Sequence, residues 1–243
     1  KFYGDSETTS NSFSGGCSTT YYGGTLFPGR YRGNLFYCEP SLNIIHRAVL
    51  NRDGAGYKAT RAPEEMESEF LASTDQWFRP MNLRTGPDGA LYIVDMYREI
   101  IEDYSAIPRF LQQQYGLDQG SAHGRIWRLI PKNAKVQKPP NFSKLSGIEL
   151  AREIGSNNPW RRETAQRLLI ERADKNPAKV LAKRLDGNWR GAIRALNTLA
   201  SIGALKSSHV LTALRHKHFG VRIHALRIAE PLLKKDKAVS SHV

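Results

Sequence analysis

Long apolar runs are the first thing missing from this sequence. No stretch of about 18 apolar residues occurs in its 243 residues, which excludes a transmembrane helix within it. Cysteine is scarce as well: there are two, Cys17 and Cys38, 21 positions apart. Without a C-x-x-C pair, the zinc-ribbon, thioredoxin-like and haem-attachment signatures are excluded. A bridge needs a fold that brings the two Cα atoms within about 7 Å, so a disulfide, buried thiols and a redox pair all stay open. Metal-ligand spacing is also lacking. His216 and His218 stand two apart near a helix end and point in different directions, so no metal site is expected. His46 and His123 read as hydrogen-bonded structural residues. NRDG at 51–54 has too few acids after it for a calcium loop and reads as a hairpin turn. No signal peptide and no initiating Met are present, and KFYGDSETTSNSFSGG opens without helix or strand pattern. The expectation is a piece cut from something longer.

Acidic residues are scarce in only one part of the chain. Residues 1–137 hold 15 Lys plus Arg and 15 Asp plus Glu; residues 138–243 hold 21 and 8. The whole net charge of +13 therefore resides in the C-terminal part. Such a contrast marks two modules.

What is present sorts the same way. From about 20 to 131, short strand-like runs alternate with Gly-, Pro- and Asp-containing turns: YYGGTLF, NLFYC, LNIIHRAVL and YKATR, then MNLRTG, ALYIVDMY and GRIWRLI. Pro87-Asp88-Gly89 is the tightest turn signal, and Asp88 there reads as turn chemistry. IPRFLQQQYGL, inside a long polar insertion, can hold a helical turn. Two units of about 50 residues, each of three or four antiparallel strands, suggest about two blades of a β-propeller. A β-sandwich made of the same strands is the alternative. Residues 132–146, with Pro139-Pro140 and four lysines, read as a linker.

Helix signals then repeat. Ala165, Ala195 and Ala225 lie 30 apart, as do Leu150, Val180 and Val210, with Pro159, Pro177 and Gly187 near the breaks. A small residue at a close-packed face with leucines three or four positions on suits stacked helix pairs. Residues 147–243 are expected to form a HEAT-type α-solenoid. The fold class is thus multidomain β + α, a partial propeller followed by helical repeats, with bounds 1–131, 132–146 and 147–243. Trp160, Trp189 and Phe219 lie near repeat starts and are expected in the core. That leaves few aromatics for base stacking, so the basic repeats fit a protein partner better than nucleic acid.

Three stretches carry a resemblance: YYGGTLFPGRYRGNLFYCEPSLNIIHRAVL, FLASTDQWFRPMNLRTGPDGALYIVDMYREII and HGRIWRL. They resemble the closing blades of the membrane-bound dehydrogenases of planctomycete-type bacteria. That family's propeller is similar to the soluble pyrroloquinoline-quinone (PQQ) sugar dehydrogenases. The resemblance implies HEAT-like repeats after the propeller and then a c-type cytochrome domain, whose haem motif this sequence lacks. It implies oxidation of a sugar or another alcohol, hydride transfer to PQQ, and a periplasmic or membrane-associated setting. The basic repeats would then be a spacer or docking surface for the cytochrome domain or another acidic protein. The rival expectation is a non-enzymatic propeller–solenoid that binds carbohydrate or protein.

Residue by residue, the resemblance carries over little. It places Arg79 and Met81 where the quinone enzymes have an Arg-x-Arg ahead of the P-D-G turn, and Asn43 where they have a lysine. Arg79 would contact the anionic cofactor, or else stack on Trp77 or pair with Asp75. A thioether at position 81 cannot pair with a carboxylate. The catalytic histidine of those enzymes belongs to an earlier blade, so no catalytic residue is assigned. Asp95 and Arg98, with Tyr97 between them, are rim candidates; alternatively Asp95 caps the next turn. A periplasmic setting favours a Cys17–Cys38 disulfide.

Overall fold

The computed structural model describes residues 13–100, 107–117, 119–136 and 138–243; the unpatterned opening at 1–12 lies outside them. The chain divides into two compact units, Lys1–Val136 and Gln137–Val243. The division falls within the Pro- and Lys-rich segment 132–146. Unit 1 is β and antiparallel; unit 2 is helical.

Unit 1 holds a five-stranded and a three-stranded sheet. The first runs in sequence order through β1 (Cys17–Tyr21), β2 (Leu35–Glu39), β3 (Ile44–Asp53) and β4 (Gly56–Arg61). The two-residue β5 (Leu71–Ala72) pairs with the start of β3, at Ile44 and Ile45. The β3–β4 hairpin turns through Gly54-Ala55, and Gly54 supplies the positive φ of 55° that a two-residue loop requires. Alternation along β2 buries Phe36 and Cys38, while Leu35 and Tyr37 stay half-buried. One face of this strand is therefore core, rather than both as the apolar run suggests.

The second sheet is β6 (Pro80–Thr85), β7 (Leu91–Asp95) and β8 (Arg125–Leu129). Its first hairpin is the P-D-G turn. Gly89 N donates to the Gly86 carbonyl (3.0 Å) and Gly86 N to the Ala90 carbonyl (2.8 Å), with Gly89 at φ 86°. That conformation favours glycine and locks the β6–β7 register. Asp88 does more than shape the turn. Its Oδ1 accepts from Ala90 N (3.0 Å), while Oδ2 accepts from Arg128 Nε on β8 (2.7 Å) and from the Tyr92 hydroxyl (3.2 Å). Burial would raise its pKa, but these donors outweigh it and hold the carboxyl below the usual range. The two sheets share one core: Tyr22, Phe36, Cys38 and Ile45 meet Phe78, Leu83, Leu91 and Ile93. Cross-sheet hydrogen bonds fix the fit, notably Tyr22 Oη to the Gly89 carbonyl (2.8 Å) and Thr20 Oγ1 to the Leu83 carbonyl (2.8 Å). In the insertion, α1 (Arg109–Tyr115) ends on Gly116 in the left-handed conformation.

Unit 2 stacks three helix pairs: α2 (Gly147–Glu153) with α3 (Pro159–Glu171), α4 (Ala178–Ala182) with α5 (Trp189–Ser201), and α6 (Ser207–Leu214) with α7 (Phe219–Ala229). A 3-10 turn, Glu230–Leu232, and α8 (Lys237–Ser240) follow. Ala165, Ala195 and Ala225 are fully buried, which lets α3, α5 and α7 pack in series. The second helix of each pair starts on an equivalent cap. The Asn158, Asn188 and His218 side chains accept from the backbone N–H of Trp160, Arg190 and Gly220. Phe142, placed by its sequence context in the linker, belongs to this core and meets Trp160 edge-on at 5.2 Å. Trp160 and Trp189 pack against the core as expected, but Phe219 remains 45% exposed.

Candidate functional site

The residues that sequence reasoning singled out in unit 1 converge on one place, the segment Gln76–Met81 that leads into β6. Arg79 lies at its centre. Each guanidinium nitrogen donates to a backbone carbonyl: Nε to Arg98 (3.0 Å), Nη1 to Pro40 (2.9 Å) and Nη2 to Glu99 (2.6 Å). Arg79 thus clamps the β2–β3 turn to the segment after β7. Burial pushes its pKa down, with Glu99 opposing. Trp77 and Asp75, the alternative partners, are engaged too: Asp75 Oδ1 accepts from Trp77 N (3.0 Å), and the Trp77 indole donates to Glu99 Oε2 (2.5 Å).

Asn43 works alongside it. Its backbone is left-handed (φ 59°), a conformation asparagine tolerates. Its amide donates to the Phe78 carbonyl (2.6 Å) and the Gln76 carbonyl (3.1 Å). Met81 occupies a bulge in β6 where the register shifts between Pro80 and Asn82, and its carbonyl faces Cys17 Sγ (3.5 Å). Asp95 is 1% exposed. Its Oδ1 accepts from Arg79 N (2.8 Å) and Tyr97 N (2.9 Å), and its Oδ2 from the Trp127 indole (2.8 Å). It caps the turn after β7, where Tyr97 adopts a φ of 49°.

Arg79 and Asn43 direct the donors described above at backbone carbonyls, and Met81 has no donor to offer a carboxylate. Asp95 is a structural cap rather than a rim group. Arg98 is different: its Nε is buried and has no hydrogen-bond partner among the described residues.

The disulfide expectation is corrected as well. Cys17 and Cys38 face each other in the β1–β2 register, yet both are free thiols. Cys17 turns its sulfur toward the Met81 carbonyl instead of across the strand pair. Burial, and then the neighbouring Cys17, pushes the Cys38 thiol up to about 12; burial and Glu39 raise Cys17. Both are poor nucleophiles at neutral pH. In the folded chain at pH 8, iodoacetamide should leave Cys38 unmodified and label Cys17 slowly. Unfolding in denaturant without reductant should expose two reactive thiols, a result that a bridge would prevent.

Sequence reading overlooked a buried ion cluster on the first sheet. Arg47, 1% exposed, donates through Nε to Glu65 Oε1 (2.9 Å) and through Nη2 to Glu64 Oε1 (2.6 Å), and lies over the Tyr31 ring at 4.7 Å. Glu69 bridges Arg61 Nη2 (2.7 Å) and His46 Nδ1 (2.7 Å) nearby. The signal was the acid-rich run PEEMESE beside two strand arginines. Among the described residues, no group of three or more His, Cys, Asp or Glu is placed to hold a metal ion. No described helix is long and apolar enough to cross a membrane.

Unit 2 has an open groove of about 660 Å³ beside the N-terminal ends of α5 and α7, its lining including Asp186, Asn188, Trp189, His216, Lys217 and His218. His218 stacks on Trp189 (centroids 4.5 Å, 7°) and on Phe219 (4.9 Å, 17°), and Arg190 lies over the Trp189 ring (4.1 Å). His218 caps α7 by accepting at Nδ1 from Gly220 N (3.1 Å), which requires the neutral ring. Burial, and the nearby His216, Arg190 and Arg222, lower its pKa. A depressed histidine pKa means that the cap's contribution is complete above the unfolded value of about 6.5 and is lost as pH falls through the folded one. Unit 2 should melt several degrees lower at pH 5 than at pH 7 by circular dichroism. His218→Asn, the residue at the other two caps, should flatten much of that slope; an unchanged slope would assign it to His209 and His224, whose values burial also lowers.

No curated protein and no solved structure matches the chain. Residues 2–133, more than half of it and most of unit 1, match the family described as "Domain of unknown function (DUF7133)". The chain belongs to that family.

Proposed function

We propose that the chain is a binding scaffold: two adjoining β-propeller blades in unit 1 and a HEAT-type solenoid in unit 2 that docks an acidic protein surface. Antiparallel meanders sharing one core support the blade reading, as helix pairs at a 30-residue period support the solenoid reading. A propeller ring takes about four to eight blades, so this reading implies further blades beside these two.

The observation that carries the docking role is the state of the charges in unit 2. Three of its eight carboxylates are paired internally, Glu153 with Arg161, Glu163 with Arg194 and Glu171 with Arg167, against 21 lysines and arginines. Exposed lysines such as Lys175, Lys183, Lys217 and Lys235 form no ion pair among the described residues. A surface with one uncompensated sign steers partners of the other sign. A periplasmic or membrane-associated setting and an acidic electron-carrier domain as the partner are the forms this takes under the dehydrogenase resemblance. The test is retention of the full chain on immobilised polyglutamate and on double-stranded DNA at matched salt. Retention on polyglutamate at physiological salt supports protein docking. Retention on DNA alone, with a steep salt slope, would replace it with nucleic-acid binding.

One observation favours a second reading, a parent enzyme that oxidises a sugar or alcohol with PQQ. Arg98 offers a buried, unmatched guanidinium N–H beside the Arg79 clamp. Titration of the full chain with PQQ checks it. Saturable binding weakened by Arg98→Ala would sustain the enzyme reading, and no saturable binding would end it.

A further inference from the structure

We propose that the groove between the α4–α5 and α6–α7 turns of unit 2 binds an extended acidic peptide segment. The proposal rests on the docking reading and gives it a site and a kind of partner.

The two banks of the groove come from successive repeats. The α4–α5 turn supplies Asp186, Gly187 and Asn188, and the α6–α7 turn supplies His216 and Lys217, with His218 as the cap of α7. His216 joins the banks. It is 6% exposed, and its Nδ1 accepts from His218 N (2.9 Å). Its Nε2 therefore carries the proton of the neutral ring and donates it to the Gly187 carbonyl across the groove (3.1 Å). Arg222 braces the second bank, its Nη1 donating to the carbonyls of His216 (2.8 Å) and Lys217 (3.0 Å). The groove is thus bounded by two repeats that meet within the unit, and its shape does not depend on what packs against the far side of α7.

The lining selects the occupant. Its aromatic rings are engaged with one another, His218 with Trp189 and Phe219, and Trp189 with Arg190 as well. Stacking surface for a base or a sugar is therefore already spent, and recognition falls to the polar side chains. Among the described residues, the Asp186 carboxylate and the Lys217 ammonium have no partner. Asn188 caps α5 with Oδ1, accepting from Arg190 N (3.0 Å), which leaves its amide N–H groups over. His218 accepts at Nδ1 from Gly220 N, which leaves the Nε2 proton over. Donors on Asn188, Lys217 and His218 thus face one groove with an acceptor on Asp186. An extended chain offers backbone carbonyls to Asn188 and His218 and a backbone N–H to Asp186, while a glutamate or aspartate on it meets Lys217. A helix would satisfy its own carbonyls and N–H groups and leave these side chains unmet. The excess of 21 basic over 8 acidic residues after position 137 favours an acidic chain over a basic one.

The test uses the full chain and a short labelled peptide of alternating glutamate and glycine, with a twin that carries glutamine for glutamate. Fluorescence anisotropy should show saturable binding of the acidic peptide, about tenfold or more tighter than its twin. Lys217→Ala should weaken it about tenfold, whereas Lys175→Ala, an equal loss of charge outside the groove lining, should change it by less than about twofold. Asp186→Ala separates a site from diffuse attraction. Loss of a carboxylate makes the surface more positive, so attraction alone predicts tighter binding of an acidic peptide. Loss of an acceptor inside the site predicts binding at least about threefold weaker. Asp186 and Lys217 are exposed and their side chains hold no partner among the described residues, so both variants should keep the wild-type circular dichroism spectrum and melting temperature. Amide exchange should slow over 186–190 and 216–220 when the peptide is bound. Tighter binding by Asp186→Ala, or equal losses in Lys175→Ala and Lys217→Ala, would overturn the groove site while leaving acidic docking intact. Retention on polyglutamate without binding of the peptide would do the same. Failure of both the peptide and polyglutamate to bind would remove the docking reading and this site with it.

Discussion

Arg79→Ala is expected to lower the stability of unit 1 by about 3 kcal/mol, because three carbonyls lose charged donors inside a partly enclosed site. The measurement is a urea titration of the full chain followed by tryptophan emission, since Trp77 and Trp127 report on this end of the second sheet. Arg79→Lys should recover less than half of the loss. A single ammonium cannot span the carbonyls of Pro40, Arg98 and Glu99, which the planar guanidinium reaches together. A ligand-contact role predicts the opposite, an Ala variant as stable as wild type with only binding impaired. Unit 1 unfolding at an unchanged midpoint would sink the clamp assignment. The same result governs how ligand binding is tested, because binding lost in a destabilised Arg79 variant would say nothing about contact. Arg98 is the better probe, since its Nε holds no partner among the described residues.

Arg47→Met should cost more, about 3–5 kcal/mol. Removal of the guanidinium leaves Glu65, itself buried and with Oε2 already unmatched, as an uncompensated carboxylate. The stacking over Tyr31 is lost as well. A second change, Glu65→Leu, should restore a substantial part of the loss, because the charge and the unmatched acceptor go together. If the double variant were no more stable than Arg47→Met, the damage would lie in packing rather than in the stranded charge. Thermal and urea midpoints of the three variants decide between these.

What could be read from the sequence was what depends on local chemistry or on repetition. The P-D-G turn is legible because proline, aspartate and glycine each have a steric or hydrogen-bonding reason to stand there. The helix pairs are legible because Ala165, Ala195 and Ala225 mark a close approach at constant spacing. The two-residue β5 was not, since two residues have no periodicity. Phe142 was missed because a lone apolar residue after Pro139-Pro140 looks like linker until Trp160 comes to meet it. The carbonyl contacts of Arg79 and Asn43 were not legible for a similar reason. An arginine or asparagine donor has many acceptable partners, and theirs lie 19 to 39 positions away in the chain. Phe219 was expected to be buried because its segment repeats the pattern of Trp189; what differs is the neighbour, which no pattern within the segment encodes.

The three helix caps at 158, 188 and 218 differ in one respect that gives the array a direction. Two are amides, indifferent to pH, and the last is an imidazole. In a stack where each pair leans only on its neighbours, loosening one end does not melt the other. Mild acid should therefore undo the α6–α7 pair while α2 to α5 hold. The helical unit thus carries one acid-labile pair, set by an imidazole where the two preceding caps have amides.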